Sequence, residues 1–285
     1  MPGTRGRGGA ALLWIAALAL MLAAAVWQRL TGPTHHRRGT AVVAGQPVRW
    51  RLLRSSVSGQ PFMVALPAPQ GVTGAVHYRR YPTGEAFSEL AMTREGGMLV
   101  ALLPSQPPAG KLEYSVVLKT PAGPVRVPEG EPIVMRFKGD VPALLLVPHV
   151  VTMFLSMMIG IRAALAAALG RAEARRYAWV AVVGIAIGGL VLGPIVQKYA
   201  FGAYWTGWPF GTDLTDDKTL GMWLAWVAAV AVLERRRDPL DRVARGATIA
   251  SALVMVAVYV IPHSLRGSEL DHSKLDAGDA VGAPR

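Results

Sequence analysis

The stretch VPALLLVPHVVTMFLSMMIGI, residues 141–161, carries no charged side chain, and neither does YAWVAVVGIAIGGLVLGPIVQ, residues 177–197. At about 1.5 Å of rise per residue, each is long enough as a helix to cross a hydrocarbon core of about 30 Å. Between them stand Arg162, Arg171, Arg175 and Arg176. The pattern recurs downstream, where apolar runs at 219–233 and 247–262 flank a connection holding Arg235, Arg236, Arg237 and Arg242. These two runs are short and need polar flanks or a neighbour's cover to span. A first apolar run at 10–28 brings the expected number of transmembrane helices to about five.

Arginine-rich short loops stay in the cytoplasm, and the two here are separated by two spans, so both assignments agree. The N-terminus, 1–9 with Arg5 and Arg7, is then inside. The long segment 29–140, the loop 198–218 and the tail 264–285 are outside. His35, His36, Arg37 and Arg38 fall on the outer side, which a long translocated domain tolerates. The first run also fits a second reading, a signal peptide, because basic residues precede it and Ala23, Ala24 and Ala25 end it. The expected location is a bacterial inner membrane, crossed several times.

Composition agrees with a mixed protein. Of 285 residues 52% are hydrophobic and 17% charged, with a mean hydropathy of +0.34, too apolar for an average soluble chain and too polar for one wholly in lipid. The formal charge of +12 is explained by arginines beside the spans, so nucleic acid is not an expected partner. The lipid bilayer is. With no cysteine, disulfides, iron–sulfur clusters, thiolate zinc sites and covalent haem attachment are excluded.

Between 40 and 138 the continuous apolar runs give way to short alternating ones. Strands are expected at 40–44, 48–53, 62–66, 74–81, 87–93, 98–103, 111–120 and 133–137, separated by turns such as Pro82-Thr83-Gly84, Glu95-Gly96-Gly97 and Pro121-Ala122-Gly123-Pro124. That spacing predicts an all-β sandwich inserted between the first span and a four-helix membrane domain at 141–263, with 29–39 as linker. The run AVHYRRYPTGEAFSELAMTREGGMLVALLPSQPPAGKLEYSVVLKTPAG, with Tyr78, Leu103-Pro104, Gly110 and Tyr114 at matching positions, resembles the central part of bacterial extracytoplasmic fibronectin type III-like domains. The resemblance implies a domain that binds, spaces or scaffolds, and implies no chemistry.

Polar residues collect at the outer end of the membrane half. His149 lies eight residues into the second span and His263 ends the fifth; Gln197 and Lys198 end the third. Asp213, Asp216, Asp217 and Lys218 follow an aromatic loop at 199–211, and Arg266, Glu269, Asp271 and His272 follow His263. Three readings compete. One is interfacial packing, with carboxylates paired to Lys198, Lys218 and Arg266 and His149 satisfied by a neighbouring helix carbonyl. A second makes His149 and His263 axial ligands of a b-type haem. The third is a quinone, divalent-metal or proton-linked site built from His149, Asp213, Asp216, Asp217 and His263. Asp216 or Asp217 also reads as the N-cap of the fourth span.

No P-loop, dinucleotide glycine fingerprint, H-E-x-x-H or nucleophile-elbow string occurs. No cofactor is therefore predicted, and no catalytic residue. The expectation is a non-enzymatic membrane protein that recognises or scaffolds another membrane or periplasmic component, with a redox or ion-coupled protein as the alternative.

Overall fold

The computed structural model describes residues 4–262 and Leu270, with side chains from Gly9 onward. The chain divides into two units, 1–32 with 141–198 and 204–267, and 33–140 with 199–203 and 268–285.

The first unit is helical: α1 (Thr4–Thr31), α2 (Ala143–Ala168), α3 (Glu173–Ile185), a π turn (Ala186–Leu192), α4 (Gly193–Phe201), α5 (Leu214–Arg235) and α6 (Arg242–Val260). Among the described residues four stretches, Gly9–Thr31, Ala143–Ala168, Glu173–Phe201 and Arg242–Val260, are long and apolar enough to cross a membrane. The chain is in that sense a membrane protein. Five spans are the expectation from sequence; α5 is a 22-residue helix but carries Asp216 and Asp217 in its first turn and Arg235 in its last, which dilutes its apolar run.

Small residues decide how these helices meet. A Cβ on Gly184 would come within 2.2 Å of Ser156 Oγ, and one on Gly188 within 2.9 Å of Met153 Sδ, so both glycines let α3 and its π turn lie close against α2. Gly189 faces Thr219 of α5 in the same way. On α2, Gly160 makes room for Trp226 of α5 and Met255 of α6, both fully buried. Tyr259 Oη donates to the Met153 carbonyl at 2.7 Å and Ser251 Oγ to the Ala225 carbonyl at 2.8 Å, tying α6 to α2 and α5.

Pro194 does not end the third apolar helix. The turn ahead of it widens instead, with the Gly193 N–H reaching the Gly188 carbonyl five residues back. Pro194 has no N–H to give and its ring crowds the preceding turn, so a π turn accommodates it and the chain stays helical to Phe201. At the other end of α2, Gly170 adopts φ +63, and Leu169, Gly170 and Arg171 donate back to Ala166 and Ala167. This is a left-handed stop that glycine makes without steric cost.

The second unit is a β-domain of eleven strands: β1 (Arg37–Val43), β2 (Gln46–Leu52), β3 (Ser55–Val57), β4 (Phe62–Pro67), β5 (Thr73–Arg80), β6 (Ser88–Ala91), β7 (Thr93–Glu95), β8 (Met98–Leu103), β9 (Lys111–Thr120), β10 (Gly123–Val127) and β11 (Ile133–Lys138). They form a β1-β2 ribbon, a six-stranded sheet ordered β3-β11-β9-β5-β6 with β10 also on β9, and a three-stranded sheet β4-β8-β7. The run 87–93, expected as one strand, is two: β6 pairs with β5 and β7 with β8, so the chain changes sheets at Met92. Alternate residues of all three sheets, among them Val48, Leu52, Phe62, Leu66, Leu103, Tyr114, Val116 and Phe137, meet in one apolar core. Tyr114 is fully buried, stacks edge-on against Phe62, and donates its hydroxyl to the Leu53 carbonyl at 2.8 Å. Burial pushes that phenol well above its ordinary pKa of 10.0.

Candidate functional site

The three aspartates before the fourth apolar run converge on one loop. Asp213 is the N-cap of α5: its extended backbone starts the helix and its Oδ1 accepts from the Thr215 N–H at 2.7 Å. The cap is therefore three or four residues earlier than the expected Asp216 or Asp217. Those two lie in the first helical turn, where carboxylates suit the positive end of the helix dipole.

Their side chains reach back to successive amides of the aromatic loop. Asp216 Oδ2 accepts from the Thr206 N–H at 2.6 Å and the Gly207 N–H at 3.0 Å. Asp217 Oδ1 accepts from the Trp208 N–H at 2.6 Å. Gln197, at the end of the third span, donates its Nε2 to Thr206 Oγ1 at 2.9 Å and to Asp216 Oδ2 at 3.1 Å. The loop closes on itself as well, with the Asp213 N–H on the Thr206 carbonyl. Two glycines make this approach possible. A Cβ on Gly207 would stand 2.5 Å from Asp216 Cβ, and one on Gly211 2.3 Å from the Thr206 carbonyl oxygen.

Thr206, Asp213 and Asp216 are buried in this network, whereas Tyr204, Trp208 and Phe210 are exposed, Phe210 to 82%. A rigid polar base thus holds aromatic rings outward. Asp216 precedes the apolar run 219–233, and burial raises its pKa above the ordinary 3.8, a shift opposed by the hydrogen bonds from Thr206, Gln197 and Gly207 and reinforced by Asp213.

The lysines have separate positions. Lys218, also buried, donates Nζ to the Ile261 carbonyl at 2.7 Å, capping the C-terminal end of α6 with a cation. Lys198 Nζ stands 5.6 Å from the Tyr204 ring centroid. His149 belongs to another environment. Its Nδ1 lies 2.9 Å from the Gly188 carbonyl, the same oxygen that the π turn leaves accepting from Gly193. His263, Arg266, Glu269, Asp271 and His272 lie outside the described residues, so of the expected outer cluster the structure brings together Asp213, Asp216 and Asp217, with Lys198 and Lys218 at their own contacts. Among the described residues no group of three or more His, Asp or Glu is placed to hold a metal ion. Thr206 and Gly207 are the members that sequence reasoning missed; the signal was two glycines, Gly207 and Gly211, inside an otherwise aromatic loop ahead of the acidic residues.

No family model matches the chain, and no curated protein matches it.

Proposed function

We propose that this chain is a multi-pass protein of a bacterial inner membrane that recognises another membrane or periplasmic component through two outer elements, its fibronectin type III-like β-domain and the aspartate-held aromatic loop. In this reading α5 is the fourth of five crossings, the N-terminus is cytoplasmic, and α1 is retained as the first span. The packing of α1 supports that last part. Ala17, Met21 and Ala24 are buried in the helical core, and the Trp14 ring meets Tyr177 edge-on. Arg162, 1% exposed, donates to Glu173 Oε1 at 2.9 Å and lies over Tyr177 and Trp14.

The observation that carries the proposal is the arrangement of the loop. The carboxylates of Asp216 and Asp217 hold the backbone of 206–208, and the outcome is a fixed display of Tyr204, Trp208 and Phe210. Aromatic side chains held rigid bury large area at little entropic cost, which suits recognition. A photo-reactive phenylalanine analogue at Phe210 in intact membranes tests this. The expected result is one discrete protein adduct that is lost when Gly207→Ala distorts the loop; adducts with lipid alone would refute it.

A further inference from the structure

The β1-β2 ribbon carries a second site. Its two-residue turn, Ala44 and Gly45 at φ 49 and 76, sets a register in which Arg38 stands directly opposite Arg51 and Thr40 opposite Arg49. Side chains alternate across a strand, so Arg38, Arg49 and Arg51 share the face turned away from the core residues Val43, Val48 and Leu52. All three are exposed. They line an open groove of about 550 Å³ together with Trp50, Pro67 and Met98. The half-buried Trp50 ring lies across Gly39 on the opposite face of the ribbon, packed against the apolar core, where a Cβ on Gly39 would come within 2.5 Å of it.

Nothing in the described residues neutralises this groove. No acidic side chain lines it. The first acidic residue of the whole chain is Glu85, after ten arginines. The side chains of Arg38, Arg49 and Arg51 take no hydrogen bond or ion pair among the described residues, unlike most other arginines of the protein. A comparison inside the molecule sharpens the point. The cavity between the inner helix ends, lined by Arg171, Arg175, Arg236, Arg237 and Arg245, has each arginine engaged: with Glu173, Glu234, Asp241, Glu234 again, and the carbonyls of Ala167 and Ala168. Like charges placed opposite each other on a ribbon are destabilising. Three guanidinium groups on one exposed face, uncompensated, are an arrangement that a bound anion completes.

We infer that the groove binds a phosphate-bearing anion, its phosphoryl oxygens taking paired N–H donors from Arg38, Arg49 and Arg51. The fork of a guanidinium matches two phosphoryl oxygens at once. This names a ligand chemistry for the outer domain and rests on the binding reading above, but not on the aromatic loop. Phosphoryl groups reach such a domain as soluble phosphates or as lipid headgroups.

The full-length protein in phosphatidylcholine nanodiscs provides the test, with two probes: inorganic pyrophosphate by calorimetry, and phosphatidylglycerol vesicles presented from solution by co-flotation. Arg38→Gln/Arg49→Gln/Arg51→Gln weakens binding of at least one probe by about tenfold or more, and the inner Arg235→Gln/Arg236→Gln/Arg237→Gln does not. Dependence in the first arm assigns a soluble phosphate, in the second a lipid headgroup. The outer variant melts no lower than the wild type without ligand, because a like-charge pair has been removed. The Arg49→Lys/Arg51→Lys variant, which keeps the charge and loses the forks, binds with intermediate affinity and serves if the glutamine variant does not fold. Absence of saturable binding to either probe, or equal binding by the outer variants, overturns the inference. A photo-adduct at Phe210 obtained alongside such a failure would leave the recognition reading standing.

Discussion

Asp216 Oδ2 lies 2.6 Å from the backbone nitrogen of Thr206, ten residues earlier in the chain. Through that bond, and the one to Gly207, a helix that starts at Leu214 fixes the loop that leads into it. Removing the acceptor strands two amide donors in a buried site, at roughly 1–3 kcal/mol each. Asp216→Ala is therefore expected to raise amide hydrogen exchange at 206–208 by a factor of ten or more, on the order of 1.4 kcal/mol. Asp216→Asn keeps an oxygen in place and has the smaller effect.

Gly207 and Gly221 make a matched pair. A methyl at Gly207 meets Asp216 Cβ and Asp217 Oδ1, whereas one at Gly221 meets nothing within 4 Å. Gly207→Ala is expected to cost about 1–3 kcal/mol through forced displacement of the first turn of α5. Gly221→Ala, within the helix, is neutral or stabilising by about 0.5–1 kcal/mol. Thermal unfolding in detergent distinguishes them.

These two glycines also mark how far the sequence could be read. The spans at 141–161 and 177–197 are legible because an uncharged run of that length has few soluble alternatives. The β-domain is legible from alternation, yet 87–93 breaks between two sheets at Met92, since a change of sheet leaves no trace in a period-two pattern. The aspartates were visible as a cluster. Their role was not, because their partners are backbone amides of Thr206, Gly207 and Trp208, which every sequence has and none displays.

Gly184 and Ser156 offer a test of the α2–α3 contact. Gly184→Ala places a methyl 2.2 Å from Ser156 Oγ and should lower stability. Pairing it with Ser156→Gly removes the obstruction, so the double variant is expected to recover most of the loss. A double-mutant cycle on melting temperature, with a coupling of about 1 kcal/mol or more, checks this.

Tyr114 links burial to pH. Its folded pKa is raised by desolvation above the ordinary 10.0, so its contribution to stability is fully present below pH 10 and lost as pH rises through the folded value. Tyr114→Phe gives up the bond to Leu53 at about 1 kcal/mol. The variant should also lose less stability than the wild type on alkaline titration above pH 10, measured by near-ultraviolet circular dichroism.

The topology proposed above assigns the β-domain and the aspartate-held loop to the outer side and the arginines of 235–237 to the inner side. The chain contains no cysteine, so Val42→Cys, Trp208→Cys and Arg237→Cys each create a sole thiol. Labelling of intact cells with a membrane-impermeant maleimide is predicted to modify positions 42 and 208, and position 237 only after permeabilisation. Equal labelling of 208 and 237 in intact cells, or protection of 42 or 208, would contradict the account.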